Sequence, residues 1–134
     1  MVRRQRLGRR AVILLDTRTF LWAVADDQRL GPEARRVIAT ADVRYLSSIS
    51  HVELAIRSAN GSVRLPQDYE RLLGAFGIES LPFTDEHATK VAVDREHGGT
   101  FDWMLLAQAA AEGLILVTAD RALSTYDGTL DATR

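Results

Sequence analysis

Two short apolar runs constrain the fold of this chain more than any other feature of the sequence. Residues 11–15 read AVILL and residues 114–117 read LILV, with no polar residue inside either run. Uninterrupted apolar runs of this length predict strands that are buried on both faces, as the strands of parallel sheets are. An aspartate follows each run closely, Asp16 directly and Asp120 three residues later. The sequence therefore predicts two central strands, each with an acid just beyond its carboxyl end.

Strand-like and helix-like segments alternate along the rest of the chain. Further strands are predicted at residues 43–47 and 78–81, and helices at residues 17–25, 33–41, about 48–60, 66–75, 85–96 and 101–112. Ser48 or Ser50 is the expected cap of the third helix, and Thr84 and Thr100 are the expected caps of the last two. This order predicts an α/β fold with a central parallel sheet and helices on both faces. Because right-handed crossovers bring the carboxyl ends of such strands to one edge, ligands are expected there.

Composition limits the chemistry that the chain can perform. Its 134 residues favour a single domain. The chain has no cysteine, which excludes disulfides, thiolate-ligated zinc and iron–sulfur clusters. Any metal site must therefore use oxygen ligands or the three histidines.

The first ten residues form a basic segment with five arginines and no acid, whereas the rest of the chain has 12 basic and 18 acidic residues. Three interpretations stay open: a solvated, disordered tail in front of a domain at residues 11–134, an arm that contacts phosphates, or a start codon assigned too far upstream. The apolar run that follows is shorter than the roughly 7–15 residues of a secretory signal and the roughly 20 of a membrane span. A cytoplasmic location is therefore expected.

Four acids are predicted to approach the same edge of the sheet. Asp16 and Asp120 follow the two apolar strands, Asp102 lies in the first turn of the helix before the last of these strands, and Glu53 lies about one turn into the third helix. Carboxylates packed together repel one another unless a cation lies among them. Such hard oxygen ligands suit Mg²⁺ or Mn²⁺, and a cation held in this way can activate a water for attack on a phosphodiester. The four acids are candidate metal ligands and catalytic residues.

Each of these acids also has a simpler structural explanation. Asp16 and Asp120 could be helix N-caps, and Glu53 lies three residues after Ser50, as in a capping box. Asp102 is favourable in a first helical turn through the helix dipole alone. Only convergence of the four side chains would favour the metal site over these explanations.

Other carboxylate chemistries fit the sequence poorly. A response-regulator receiver needs a lysine at the end of a later strand, but the only lysine is Lys90, inside a predicted helix. A haloacid-dehalogenase-type phosphatase needs a second aspartate two residues after the first, where this chain has Arg18. The sequence has neither a phosphate-binding Gly-Lys-Ser/Thr loop nor a glycine-rich dinucleotide loop after a strand.

Five segments, in order along the chain, resemble PIN-domain ribonucleases, and among them the VapC-like toxins of type II toxin–antitoxin systems. The segments are LLDT at residues 14–17, SSISHVELAI at 47–56, LPFT at 81–84 with His87 and Ala88 after it, residues 97–102 with LLAQA at 105–109, and LVTAD at 116–120.

The resemblance implies a PIN-like fold with about five parallel strands, the last near the C-terminus. It also implies that the chain is a Mg²⁺- or Mn²⁺-dependent endoribonuclease that leaves 5′-phosphate and 3′-hydroxyl ends, with RNA of the tRNA or rRNA class as substrate. The implied partners are a second copy of the chain and a cognate VapB-like antitoxin that plugs the site and represses the operon as a complex. No membrane partner is implied.

By position, the resemblance assigns the catalytic and metal-binding quartet and several supporting roles. Thr118 would orient Asp120, and Arg18 and Arg57 would contact the substrate. Arg57 is also four residues after Glu53, which predicts an ion pair within one helix. The assigned quartet is Asp16, Glu53, Asp102 and Asp120.

The chain departs from the VapC-like pattern in one segment. The subgroup usually reads His, any residue, Asp, Pro, Phe, Asp, Arg, whereas residues 97–103 read HGGTFDW. Gly99 thus replaces an accessory aspartate, and Trp103 replaces an arginine. This departure leaves open an alternative function, a catalytically weakened PIN-like protein that acts as a binding partner in an antitoxin complex.

The histidines and tryptophans are expected to have packing roles. His51 and His87 lie in or near predicted helices, and His97 precedes a glycine pair, where a loop or cap role is expected. Because Mg²⁺ prefers oxygen ligands, none of the three is a preferred ligand. Trp22 and Trp103 could stack on RNA bases, but aromatic residues at helical spacing usually belong to the core.

Overall fold

A computed structural model describes residues 11–93, 96 and 99–134, in which five parallel strands form one sheet. The basic segment at residues 1–10 and His97 lie outside the described residues. The strand order in the sheet is β3-β2-β1-β4-β5. The chain adds β2 and β3 on one side of β1, then crosses back and adds β4 and β5 on the other side. The strands are β1 at Val12–Leu15, β2 at Val43–Ser47, β3 at Ile78–Leu81, β4 at Ile115–Thr118 and β5 at Thr129–Asp131.

Six α-helices and a short 3₁₀ helix connect or flank these strands in the described part of the chain. They are α1 at Thr17–Ala25, α2 at Pro32–Thr40, α3 at Ser48–Ala59, α4 at Glu70–Ala75, α5 at Asp85–Thr89, α6 at Thr100–Glu112 and the 3₁₀ helix at Leu123–Thr125. The predicted α/β fold with a parallel sheet of about five strands is confirmed. The bounds predicted for α1, β2 and β3 are also those observed.

Two helices are shorter than predicted. The segment from Pro66 to Tyr69 forms turns, with the Tyr69 amide donating to the Pro66 carbonyl at 3.1 Å, and α4 begins only afterwards. Helix α5 ends at Thr89, although the sequence pattern extended it to residue 96. The β-branched Val91 and Val93 disfavour helix, and Val93 is 59% exposed, so no burial compensates for this preference.

The caps of α3 and α6 also differ from the prediction by one residue. Ser47 caps α3, because its hydroxyl accepts from the Ile49 amide at 3.0 Å, and neither Ser48 nor Ser50 does so. Gly99, not Thr100, is the cap residue of α6. The Thr84 cap of α5 is confirmed by a 3.3 Å hydrogen bond from the His87 amide.

Strand β1 lies at the centre of the sheet and contributes to the core on both faces. Ile13 and Leu15 pack in one apolar cluster with Phe20 and Leu46, whereas Leu14 packs in a second cluster on the other face. All three β1 side chains are fully buried, and each contributes about 1.5–3 kcal/mol relative to exposure. This packing holds the end of β1 in place, directly in front of Asp16.

Trp22, His51 and His87 contact neighbouring side chains of the fold. Trp22 is buried in the core, and the Arg29 guanidinium lies 5.0 Å from its ring centre. His87 is buried and lies 2.8 Å from a carboxylate oxygen of Glu112, which connects α5 to α6. His51 contacts the hydroxyl of Tyr69 at 2.7 Å. None of the described helices has both the length and the apolar character needed to cross a membrane.

Candidate active site

A cavity of about 350 Å³ opens at the carboxyl edge of the sheet, where β1 and β4 lie side by side. In open parallel sheets this reversal of strand order is where ligands bind. The ends of the two strands are joined by a 3.0 Å hydrogen bond from the Asp16 amide to the Val117 carbonyl. Every acid of the predicted quartet lines this cavity, and so do both predicted substrate-binding arginines: Asp16, Glu53, Asp102, Asp120, Arg18 and Arg57.

Asp16 is the most firmly held of the four acids. It is 5% exposed and is the N-cap of α1, with Oδ1 accepting from the Thr19 amide at 2.7 Å. Its Oδ2 accepts from the Thr118 hydroxyl at 2.8 Å and from the Ala119 amide at 3.0 Å. Burial raises the pKa of Asp16, and these hydrogen bonds oppose that rise by stabilising the carboxylate. Asp16 therefore caps helix α1 and also lines the cavity.

Thr118 connects the two strand-end acids. Its hydroxyl donates to the carboxylate of Asp16 and accepts from the backbone amide of Asp120 at 3.1 Å. The side chain of Asp120 instead accepts from the Ala122 amide at 2.9 Å, which closes a turn. Thr118 therefore contacts the carboxylate of Asp16 and the backbone of Asp120, whereas the sequence led us to expect a contact with Asp120 alone.

Glu53 reaches the cavity from α3. Its Oε1 accepts from the Thr17 hydroxyl at 2.7 Å, and the Thr17 oxygen lies 2.9 Å from the Ser50 hydroxyl. Its Oε2 lies 2.7 Å from Nη2 of Arg57, which confirms the predicted ion pair. The capping box predicted for Ser50 and Glu53 is wrong, because both side chains face Thr17 at the start of α1.

Asp102 enters the cavity from the first turn of α6. Its Oδ2 accepts from the Gly99 amide at 2.8 Å, so a capping role is present here too. Burial raises the pKa of Asp102 above its ordinary value, and the negative charges of the other three acids raise it further. Because charges influence one another in this way only at short range, the four carboxylates share one electrostatic environment.

The donor set of the cavity fits a hard divalent cation, although the ligands are not yet gathered around one point. Carboxylate oxygens at a crowded, negatively charged site are what Mg²⁺ and Mn²⁺ bind. Within the described ranges, however, no three acidic or histidine side chains stand close enough together to coordinate a single ion as they are. A cation would therefore bind either through fewer than three of these carboxylates, with water completing its coordination, or after side chains rearrange.

Sequence reasoning missed Thr17 and Ser50 as parts of this site. Both are buried polar residues, and together they connect α1 to α3 beneath Glu53. Thr17 directly follows Asp16 in the sequence. That adjacency was the only available signal, because nothing local indicates that residue 17 contacts residue 53.

The fold and the cavity together define a class of protein: an α/β protein with a parallel sheet and a carboxylate-lined site between β1 and β4, where the strand order reverses. The chain belongs to the PIN domain family, whose model matches residues 13–128. The family predicted from the motifs is therefore confirmed. PIN domains are generally nucleases. No curated protein matches the sequence significantly.

Solved structures with the same fold include three toxin–antitoxin complexes. A toxin–antitoxin complex from Klebsiella pneumoniae has a TM-score of 0.61 at 17% identity, over 90% of this chain and 97% of that chain. VapBC2 from Rickettsia felis bound to a promoter DNA fragment has 0.60 at 16%, over 89% and 96%. DNA-bound VapBC from Salmonella typhimurium has 0.63 at 21%, over 90% and 98%. At these identities the likeness establishes the fold.

Proposed function

We propose that this chain is a Mg²⁺- or Mn²⁺-dependent endoribonuclease and the toxin of a VapBC-type toxin–antitoxin pair. One observation carries the proposal: four acids from four separate elements line one cavity, and the charges of three of them raise the pKa of Asp102. Membership of the PIN domain family supports a nuclease. A purely structural role for the acids would not require them to converge.

The quartet Asp16, Glu53, Asp102 and Asp120 would hold the cation. When bound, the metal supplies an activated water and neutralises charge on the phosphate. Asp16 is held by three donors, so its carboxylate is preorganised for binding. Arg18 is exposed at the rim, and Arg57 lies beside it in the same cavity. Both guanidinium groups can bind RNA phosphates in a bidentate manner.

The proposed partners follow from the comparisons and from the resemblance of the motifs. All three solved structures named above are toxin–antitoxin complexes, which supports a VapB-like antitoxin for this chain. We also propose a homodimer, as the resemblance to VapC-like toxins implies. We further propose a cytoplasmic location and RNA of the tRNA or rRNA class as substrate. The proposed PIN domain spans residues 11–134, and residues 1–10 are proposed to be a basic tail.

Asp120→Asn tests the proposal most directly. Asparagine can still accept from the Ala122 amide through its carbonyl oxygen, but it is a poorer ligand for a hard cation. We expect RNA cleavage to fall by more than about a hundredfold, beyond the loss that follows removal of an outer-sphere partner. Mn²⁺ binding, measured by isothermal titration calorimetry, should weaken in parallel. Parent-like cleavage in this variant would refute the assignment of the quartet.

Asp42→Asn is the matched control. Asp42 is exposed and directly precedes β2, so it lies at the opposite edge of the sheet from the cavity. The substitution removes the same charge, and both cleavage and Mn²⁺ binding should stay at the parental level. A loss in this variant would mean that net charge, not the cavity, controls the activity.

A catalytically weakened binding protein is the second candidate, and Gly99 favours it. A Cβ atom at residue 99 would lie 3.5 Å from Oδ2 of Asp102, so an aspartate there would add a carboxylate to the cavity. If the parent binds Mn²⁺ but cleaves no RNA, this candidate replaces the first. Gly99→Asp should then tighten Mn²⁺ binding and raise cleavage above background.

A further inference from the structure

The ion pair between Arg57 and Glu53 occupies an oxygen that a cation would need. Arg57 Nη2 is 2.7 Å from Oε2 of Glu53, while the Thr17 hydroxyl occupies Oε1. The Glu53 side chain is 12% exposed, so water contributes little to its solvation. In the described structure both Glu53 oxygens are thus bound by donors of the chain itself.

A divalent cation and the Arg57 guanidinium cannot both keep close contact with Glu53 at low cost. Like charges a few ångströms apart repel strongly where water is partly excluded. Metal binding at Glu53 would therefore displace Arg57.

A second groove beside the acidic cavity could receive the Arg57 side chain. Arg57 already lines this groove, which has a volume of about 490 Å³ and lies between α1 and the segment that leads into α4. Arg18 lines both spaces, and Arg64 lines the second one, where it is exposed. Neither Arg18 nor Arg64 forms an ion pair with a described residue. The Arg57 side chain is already 31% exposed, so a turn toward the other arginines would not require unfolding of α3.

We propose that Arg57 is an exchangeable counter-ion: it neutralises Glu53 in the metal-free protein and turns to an RNA phosphate once a divalent cation takes Glu53. The inference rests on the proposed function, which supplies the cation and the RNA. In this exchange, the metal frees the Arg57 guanidinium and the RNA phosphate binds it. Metal binding and RNA binding therefore favour each other. Arg57 thereby acts as a positioning residue that delays RNA capture until the metal is present.

The first test measures Mn²⁺ affinity without RNA by isothermal titration calorimetry. Arg57→Gln removes the competitor of the cation, whereas Arg18→Gln removes the same charge from the same cavity without touching Glu53. We expect Arg57→Gln to bind Mn²⁺ about three- to tenfold more tightly than Arg18→Gln, in line with loss of a partly buried ion pair. Equal affinities in the two variants would overturn the exchange.

The second test measures the coupling between metal and RNA. The probe is a fluorescent, fully 2′-O-methylated RNA oligonucleotide, whose integrity is checked by gel electrophoresis, and its binding is followed by anisotropy with and without Mn²⁺. Arg18→Gln should bind RNA more weakly than the parent at every Mn²⁺ concentration, because a proposed phosphate contact is lost, but the factor by which Mn²⁺ tightens binding should be the same in both. In Arg57→Gln that factor should fall toward one. A purely structural ion pair would leave the factor unchanged, and this result would refute the proposal.

Failure of this inference is distinguishable from failure of the proposed function. If the parent binds no Mn²⁺, the proposed function fails. If the parent binds Mn²⁺, Asp120→Asn does not, and Arg57→Gln behaves as Arg18→Gln, only the role of Arg57 fails. Arg57→Met, a second uncharged side chain of similar length, repeats both measurements, and whichever Arg57 variant has a parent-like thermal melt decides the result.

Discussion

Glu53 is held differently from the other three acids of the cavity, since Asp102 on α6, like the two strand-end acids, accepts from a backbone amide. Asp16 and Asp120 follow β1 and β4, and each accepts at least one hydrogen bond from a backbone amide one to three residues away or across the strand pair. Glu53 on α3 is held only by side chains, those of Thr17 and Arg57. Backbone donors move only if the fold moves, whereas side-chain donors can change rotamer.

Three of the acids are therefore held by backbone donors, whereas Glu53 can adjust. Asp16 has three donors in the described structure and almost no exposure. Glu53 shares one of its oxygens with an arginine that is partly in solvent. The acids held by backbone donors would therefore define where a cation binds, and Glu53 would complete its coordination.

The largest expected effect is a difference in unfolding free energy between a variant of Asp16 and a variant of Glu53. Asp16→Asn places an amide where Oδ1 or Oδ2 now accepts, so at least one buried donor among Thr19, Thr118 and Ala119 loses its partner. Such a loss costs about 1–3 kcal/mol of unfolding free energy. Glu53→Gln keeps an acceptor for Thr17, and we expect a loss below about 1 kcal/mol. Urea unfolding of the two variants measures this contrast, and equal losses would remove the distinction between fixed and adjustable acids.

Thr118→Val should have the next largest effect. Valine has the shape of threonine but cannot donate to Asp16 or accept from the Asp120 amide. We expect a loss of about 1–2 kcal/mol in the free energy of unfolding and a roughly tenfold weaker affinity for Mn²⁺. Thr118→Ser restores the hydroxyl and should recover most of both. If valine and serine behave alike, the hydroxyl has no positioning role.

The smallest expected effect is a dependence of stability on pH through Asp102. Its pKa in the folded metal-free protein is raised above the ordinary value, so the folded state binds a proton more tightly than the unfolded state does. Stability should therefore fall as pH rises from the ordinary carboxyl range through the raised pKa. Asp102→Asn should reduce this slope, and saturating Mn²⁺ should also reduce it. Thermal melts across that pH window, with and without Mn²⁺, provide the measurement; a slope that Asp102→Asn leaves unchanged would assign the effect to another group.

Much of the fold could be predicted because its signals are local. The uninterrupted apolar run before Asp16 predicts a doubly buried strand, and the fully buried Ile13, Leu14 and Leu15 confirm it. The predictions failed where tertiary packing decides the outcome. Helix α5 stops at Thr89 because exposed, β-branched residues follow it, and no sequence period encodes what a helix there would pack against.

The α/β architecture and the order of the motifs could be predicted from the sequence alone, because each depends on residues close together in the chain, and the same motifs predicted the four acids that line the cavity. Only the tertiary structure decided which donor holds which acid. Thr118 contacts the carboxylate of Asp16 across 102 positions, and Thr17 contacts Glu53 across 36. Hydrogen bonds select partners by distance and direction in space, and a linear pattern carries neither.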